Sequence, residues 1–176
     1  PPVSLQVLPS LRSGGVERRT VEIARAIIEA GGTALVRTTG GPMVTTLAQM
    51  GAKHILLPLD KRNPFSIWRN AKSLAAIVGE QYVDIIHARS RAPAWSAWWA
   101  AQKTGCHFMT TFHGTYGLQS EWKRKYNSIM TRGERVIAIS QFIADHIKAN
   151  YEVDPANVRV IHRGVDLRIF SPANHS

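Results

Sequence analysis

The chain has one cysteine, Cys106, among its 176 residues. That excludes an internal disulfide and a thiolate metal cage, and makes a reducing cytoplasm the expected compartment. No apolar run comes near the roughly 20 residues that a membrane-spanning helix needs. The opening, Pro1-Pro2-Val3-Ser4, has neither a basic n-region nor an apolar h-region, so no secretory signal is visible. Without an initial Met, the chain reads as trimmed. Acidic residues are scarce, 12 Asp plus Glu against 22 Lys plus Arg, for a net charge of +10. Such an excess favours an anionic partner, whether nucleic acid, a phosphorylated small molecule or an anionic bilayer. Several signatures are missing as well. There is no Gly-x-Gly-x-x-Gly dinucleotide fingerprint, no P-loop and no nucleic-acid-binding module motif. His87, His107, His113, His146 and His162 share no ligand spacing on a common helix, and no Asp-x-Asp stands at a strand end. No metal and no cofactor is therefore expected.

What remains is an alternation of apolar runs and helical patterns, at 44% hydrophobic and 19% charged residues, as in an ordinary globular domain. Strands are predicted over 3–8, 33–38, 53–57, 83–87, 107–112, 135–139 and 158–161. Helices are predicted over 16–29, 43–50, 65–78, 93–103, 120–131 and 141–150. This pattern implies an α/β, Rossmann-like, doubly wound parallel sheet of about seven strands. Ligands bind such sheets beyond the carboxyl ends of the strands, so the residues that follow each strand are the ones to weigh.

After the first strand, Gly14 and Gly15 open a helix. Paired glycines let the backbone approach a ligand closely, and a helix N-terminus offers free N–H groups to a phosphate. A plain tight turn fits the same residues. After the fourth strand, Arg89 and Arg91 flank Ser90 and can hold an anion by charge-assisted hydrogen bonds. A solvated loop is the alternative, and His87 reads equally as a satisfied structural histidine. After the fifth strand, His113 emerges next to Gly114, placed to face a cleft, with no nucleophile motif around it. Ser140, after the sixth, reads as an N-cap. Beyond the seventh, Phe170-Ser171-Pro172 reads as a turn into a linker over 171–176, with the domain covering 1–170. Over 119–135, Trp122, Tyr126, Ile129 and Met130 fall at helical spacing beside Lys123, Arg124, Lys125, Arg132 and Arg135. That is the pattern of a basic helix lying on an anionic membrane or contacting an acceptor, and equally of a helix packed on the sheet. Trp95, Trp98 and Trp99 carry the same two readings.

Taken in order, these residues resemble the N-terminal half of glycosyltransferase family 4, of GT-B architecture. The match lies in Gly14-Gly15-x-Glu17, Asp84-Ile85-Ile86-His87, Thr111-Phe112-His113-Gly114, Val136-Ile137-Ala138-Ile139-Ser140, and Gly164-Val165-Asp166 with Phe170-Ser171-Pro172. Arg163 stands where the family usually has Asn, at the interdomain hinge with Asp166. The resemblance implies a bacterial glycosyltransferase, hexosyl and of lipopolysaccharide or cell-envelope type, that moves a sugar from a nucleotide-sugar donor to a carbohydrate or lipid-linked acceptor with retention. It implies metal independence, and a donor domain that this chain lacks, so that the chain alone is inactive. His113 becomes the catalytic candidate beside the donor sugar. Gly14, Gly15, Glu17, Arg89, Ser90, Gly114 and Ser140 become candidate donor-phosphate and substrate contacts. Trp122, Lys123, Arg124 and Lys125 become candidate membrane or acceptor contacts on the inner face of the cytoplasmic membrane. No nucleic acid is expected. The alternative reading is a basic nucleic-acid- or nucleotide-binding Rossmann-like module without transferase activity.

Overall fold

The computed structural model describes residues 3–7, 25, 33–38, 53–56 and 62–161, the strands over 33–38 and 53–56 by their backbone. Seven strands form one sheet: β1 (Val3–Val7), β2 (Thr33–Thr38), β3 (Lys53–Leu56), β4 (Ile85–Ala88), β5 (His107–Phe112), β6 (Arg135–Ala138) and β7 (Val158–Val160). Their spatial order is 3-2-1-4-5-6-7, and every pairing is parallel. The order reverses between β1 and β4, which puts the topological switch point, and the crevice it opens, at their carboxyl ends.

The strand period of two divides the sheet sharply. Register pairs Leu5 with Ile86 and Val7 with Ala88, and carries on to Phe108 and Thr110, then to Val136, with Phe112 beside Ala138. Thr110 apart, this face is apolar, and it forms the core with Leu74, Ala94, Ala97, Ile129, Met130 and Ile143 from a layer of helices. Thr110 stays on it by donating its hydroxyl to the Met130 carbonyl. The opposite face carries Ser4, Gln6, His87 and Thr111, all buried.

Among the described residues the helix layer holds α1 (Pro64–Gln81), α2 (Arg91–Thr104), α3 (Glu121–Asn127) and α4 (Gln141–Asn150), with 3₁₀ turns over Ser128–Thr131 and Pro155–Asn157. Local chemistry sets their ends. Asn63 Oδ1 accepts from Ser66 N–H at 2.8 Å ahead of Pro64, an N-cap with proline in the first turn. Tyr82, left-handed at φ 53°, ends α1. Ser120 and Ser140 cap α3 and α4 through their hydroxyls. Five buried alanines of α2, Ala92, Ala94, Ala97, Ala100 and Ala101, allow close packing on α1, where Ser96 Oγ donates to the Ile67 carbonyl at 2.9 Å.

The helix predicted over 65–78 runs on to Gln81, and two others also differ from expectation. The one predicted over 93–103 starts at Arg91, because extended Ser90 already supplies the cap position. The one predicted over 120–131 is α-helical only to Asn127. Ser128 Oγ then donates to the Lys125 carbonyl and Thr131 Oγ1 to that of Ser128, so hydroxyls compete for the carbonyls of the ladder and the last turn tightens. The apolar stripe read over this segment is consequently no single face: Trp122 is 78% exposed, whereas Ile129 and Met130 are fully buried. Of the helix expected over 16–29 only Arg25 is described, helical and exposed. The helix over 43–50, Gly14, Gly15, Glu17, Arg163, Asp166 and the linker lie outside the described residues.

Gly133 marks where the chain re-enters the sheet. A Cβ there would lie 2.6 Å from the Phe108 carbonyl oxygen and 3.2 Å from Met109 Cα, both backbone atoms held in β5. Gly133→Ala is expected to lose about 1–3 kcal/mol in a denaturant titration. Gly114→Ala, where nothing lies within 4 Å of the added carbon, is expected to leave stability within about 0.5 kcal/mol.

Candidate active site at the carboxyl ends of the central strands

The polar face of the sheet forms one connected row across three strands. Gln6 Nε2 donates to Ser4 Oγ at 2.8 Å within β1. Arg89, one residue past β4, donates from Nη1 to Gln6 Oε1. Its Nη2 lies 3.4 Å from His87 Nδ1. His87 Nε2 in turn lies 2.7 Å from Thr111 Oγ1. Gln6, His87, Arg89 and Thr111 are each no more than 3% exposed. Burial holds the His87 pKa well below the usual imidazole value, and the charges of Arg89 and His113 push it the same way. The ring is therefore neutral near pH 7. With Nδ1 turned to a guanidinium that can only donate, its proton belongs on Nε2, which donates to Thr111. His87 is thus the satisfied histidine of the two readings, on a central strand. Asp84, which opens the same sequence motif, accepts from Val3 N–H at 2.7 Å and ties the start of β1 to β4.

His113 follows β5 directly and is half-buried, with Gly114 exposed beside it. It lies close enough to His87 for the two rings to interact electrostatically. The structure thus brings His113, Arg89 and Ser90 to the same end of adjacent strands. Ser140 reaches that end of β6, where its hydroxyl accepts from Ile143 N–H at 3.2 Å as the cap of α4. Arg91, read as one of two anion-holding arginines, has turned away from Arg89. Its guanidinium sits over the rings of Tyr116 at 4.5 Å and Tyr126 at 5.2 Å and donates to Asn127 Oδ1 at 2.8 Å.

Trp122, Lys123, Arg124 and Lys125 are all exposed on α3. Trp122, Arg124 and Lys125 help line a groove of about 870 Å3, together with Arg132, Asn150 and Tyr151. Arg132 lies over Trp95 and Trp98 at 4.9 and 5.0 Å, so those two tryptophans serve the α2–α3 junction, and Trp99 is exposed. Among the described residues, no three His, Cys, Asp or Glu side chains gather as a metal site. Burial raises the Cys106 thiol to about 11, which leaves it protonated and without nucleophilic character at neutral pH.

Gln6 and Asn127 escaped the sequence reading. Gln6 had a usable signal, since Ser4 and Gln6 alternate with Leu5 and Val7 in an otherwise apolar strand, but nothing in the sequence pairs it with residue 89.

The depressed His87 pKa makes stability depend on pH with a definite sign. Above the unfolded-state value of about 6.5 both states hold a neutral ring and no penalty exists. As pH falls below it, the unfolded chain takes a proton that the folded chain refuses, and stability is lost. His87→Gln keeps an N–H for Thr111 and does not titrate. Its unfolding free energy is expected to fall less steeply than wild type between pH 6.5 and 5, measured by denaturant titration at each pH.

The model of Glycosyltransferase Family 4 matches residues 13–169. No curated protein matches significantly. Among solved structures, a glycosyltransferase from Rickettsia africae ESF-5 is 43% identical, with a TM-score of 0.82 over 99% of this chain and 46% of its own. Alr3699/HepE from Anabaena, in complex with UDP and glucose, is 20% identical with a TM-score of 0.72, over 97% of this chain and 47% of its own. The lipopolysaccharide outer core galactosyltransferase WaaB in its apo form is 15% identical with a TM-score of 0.69, over 93% of this chain and 46% of its own. The chain spans less than half the length of these proteins, and the last two share its fold. With the family model covering nearly the whole sequence on a sheet of this topology, the chain belongs to glycosyltransferase family 4.

Proposed function

We propose that this chain is the N-terminal, acceptor-side half of a two-domain GT-B enzyme that transfers a hexose from a nucleotide-sugar donor to a carbohydrate or lipid-linked acceptor of the bacterial cell envelope, with retention. The observation that carries the reading is the placement of His113, Arg89 and Ser90 at the carboxyl ends of the adjacent strands β4 and β5, beside the switch point. Complexes of Alr3699/HepE with UDP-glucose support a nucleotide-sugar donor. In this reading the domain covers 1–170, residues 171–176 lead to the donor domain, and Arg163 and Asp166 belong to the hinge.

Negative charge builds on the departing diphosphate as the sugar gains oxocarbenium character. Backbone donors at Gly14 and Gly15 stabilise that charge where it develops, with Glu17, Arg89, Ser90, Gly114 and Ser140 around the donor. His113 orients the donor sugar and supplies a dipole to it. No metal or cofactor enters the scheme. Closure of the two halves excludes water and limits hydrolysis of the donor.

A peripheral contact with the inner face of the cytoplasmic membrane belongs to the same reading. It draws support from Trp122 on the lip of a groove edged by Arg124, Lys125 and Arg132, with Lys123 beside it. The outer face of α1 adds Phe65 and Trp68, 63% and 47% exposed, with Arg69 and Lys72 over their rings. Among the described residues no helix is long and apolar enough to cross a membrane, so attachment would be at the surface, where each basic residue contributes on the order of 1 kcal/mol.

In the full-length enzyme, His113→Ala is expected to cut turnover on the order of a hundredfold with little change in melting temperature, and the 176-residue chain alone is expected to turn over no nucleotide sugar. Unchanged kinetics with a large drop in melting temperature would make His113 a core histidine; turnover by the isolated chain would sink the two-domain scheme. Sedimentation with phosphatidylglycerol vesicles tests the membrane contact. Binding is expected at low salt, weakened by Trp122→Ala with Lys125→Ala, and absent with phosphatidylcholine; equal binding to both lipids, or to neither, would overturn it.

A further inference from the structure

The segment that follows His113 has no regular structure of its own, yet three side chains from elsewhere converge on it. Asn127, at the last position of α3, is fully buried. Its Nδ2 donates to the Gly117 carbonyl at 2.9 Å, and its Oδ1 accepts from Arg91 Nη1 at 2.8 Å. Arg91, the first residue of α2, lies over the ring of Tyr116 at 4.5 Å and over that of Tyr126 at 5.2 Å. Tyr116 packs on Phe112 with ring centroids 5.7 Å apart. The loop from His113 to Leu118 is therefore gripped at Tyr116 by a planar cation and at Gly117 by a buried amide, with cation and amide bonded to each other.

We infer that Arg91 and Asn127 form a clamp that fixes the His113–Gly114 turn, so that both are positioning residues for the site proposed above and not anion ligands. Each part of the clamp uses a property its substitutes lack. A guanidinium lies flat over aromatic rings while donating in its plane, which an ammonium does not. A carboxamide accepts from Arg91 and donates to Gly117 at once, which a carboxylate cannot. Residue 91 is thereby withdrawn from the anion-holding role that its place after β4 suggested.

The substitutions separate clamp from charge. In the full-length protein, Arg91→Lys keeps the charge and loses the stacked fork. Asn127→Asp keeps the bond to Arg91 and replaces the N–H that holds Gly117 with an oxygen facing the Gly117 carbonyl. Hydrogen exchange followed at millisecond mixing times reads the loop amides of residues 114–119 against those of β4 and β5. Both variants are expected to speed exchange in the loop on the order of tenfold, the size expected for losing one charged or buried hydrogen bond, while the strand amides keep their wild-type rates. Turnover, once a donor is in hand, is expected to drop with both variants. Arg91→Lys behaving as wild type in loop exchange would overturn the clamp and return Arg91 to a purely electrostatic role. Faster exchange in strands and loop together would show a role in global stability only, and would equally overturn it. The exchange measurement needs no substrate, so its outcome is independent of whether the transferase reading holds: a locally loosened loop with unaltered turnover would leave the clamp standing and remove the His113 turn from the active site.

Discussion

A guanidinium buried beside an imidazole is the constraint from which the order of the central sheet follows. Arg89 cannot shed its charge, and a charge taken out of water must be met by well-placed acceptors. Gln6 Oε1 is one such acceptor and His87 Nδ1 faces it as another. That arrangement works only if His87 stays neutral and directs its one proton the other way, towards Thr111. One charged group thus fixes a tautomer, the tautomer fixes the orientation of a hydroxyl on the next strand, and three strands become locked in register on their polar face. Because the polar matching between strands is confined to this face, the opposite face, Thr110 apart, is free to be apolar and to pack against the described helices.

The helix layer divides its tasks in the same way. Its inner surface is small and aliphatic, led by the alanines of α2, and supplies burial. Its outer surface carries Phe65, Trp68, Trp99, Trp122 and Phe142, the large apolar side chains exposed on the described helices, and two of these, Phe65 and Trp68, lie against cations. Exposed aromatics in such number are not needed for folding. Cation–aromatic contacts serve two ends here. Where Arg91 and Arg132 each lie over two rings they join helices and loops; Arg69 and Lys72 each lie over a single exposed ring of their own helix.

The fold was legible in the sequence because its cause is local and periodic. Apolar runs separated by 3.6-period helices imply a parallel sheet, and each of the seven predicted strands is present, with ends shifted by one or two residues. The errors arose where a side-chain hydrogen bond or a distant partner, and not the apolar period, decides the outcome. Ser128 and Thr131 tighten the end of α3 through hydroxyl bonds, so that four residues sharing a helical stripe went to opposite environments. Arg91 and Arg89, equivalent in the sequence around Ser90, went to different neighbourhoods because the partners that separate them, Tyr116, Tyr126 and Asn127 for one and Gln6 for the other, lie between 25 and 83 residues away. That His113 and Ser140 stand beyond the carboxyl ends of β5 and β6 was readable from position alone, since a strand's end is readable where the strand is. Their surroundings were not.

The alternation that splits the sheet also explains why the turn at His113 can be rigid without hydrogen-bonded structure of its own. Successive residues at the end of β5 belong to different faces. Thr111 is held by His87 on the polar side. Phe112, fully buried, is held on the helix side by the rings of Tyr116 and Tyr151. A residue that emerges after two such neighbours has its starting direction fixed from both faces of the sheet. Tyr116 then closes the circuit, because the ring that packs on Phe112 is the ring that Arg91 covers. The direction of His113 is thereby set on one side by a neutral imidazole and on the other by a stacked cation. Loosening either would be felt by the same side chain, though the two supports share no atom and lie on opposite faces of the sheet.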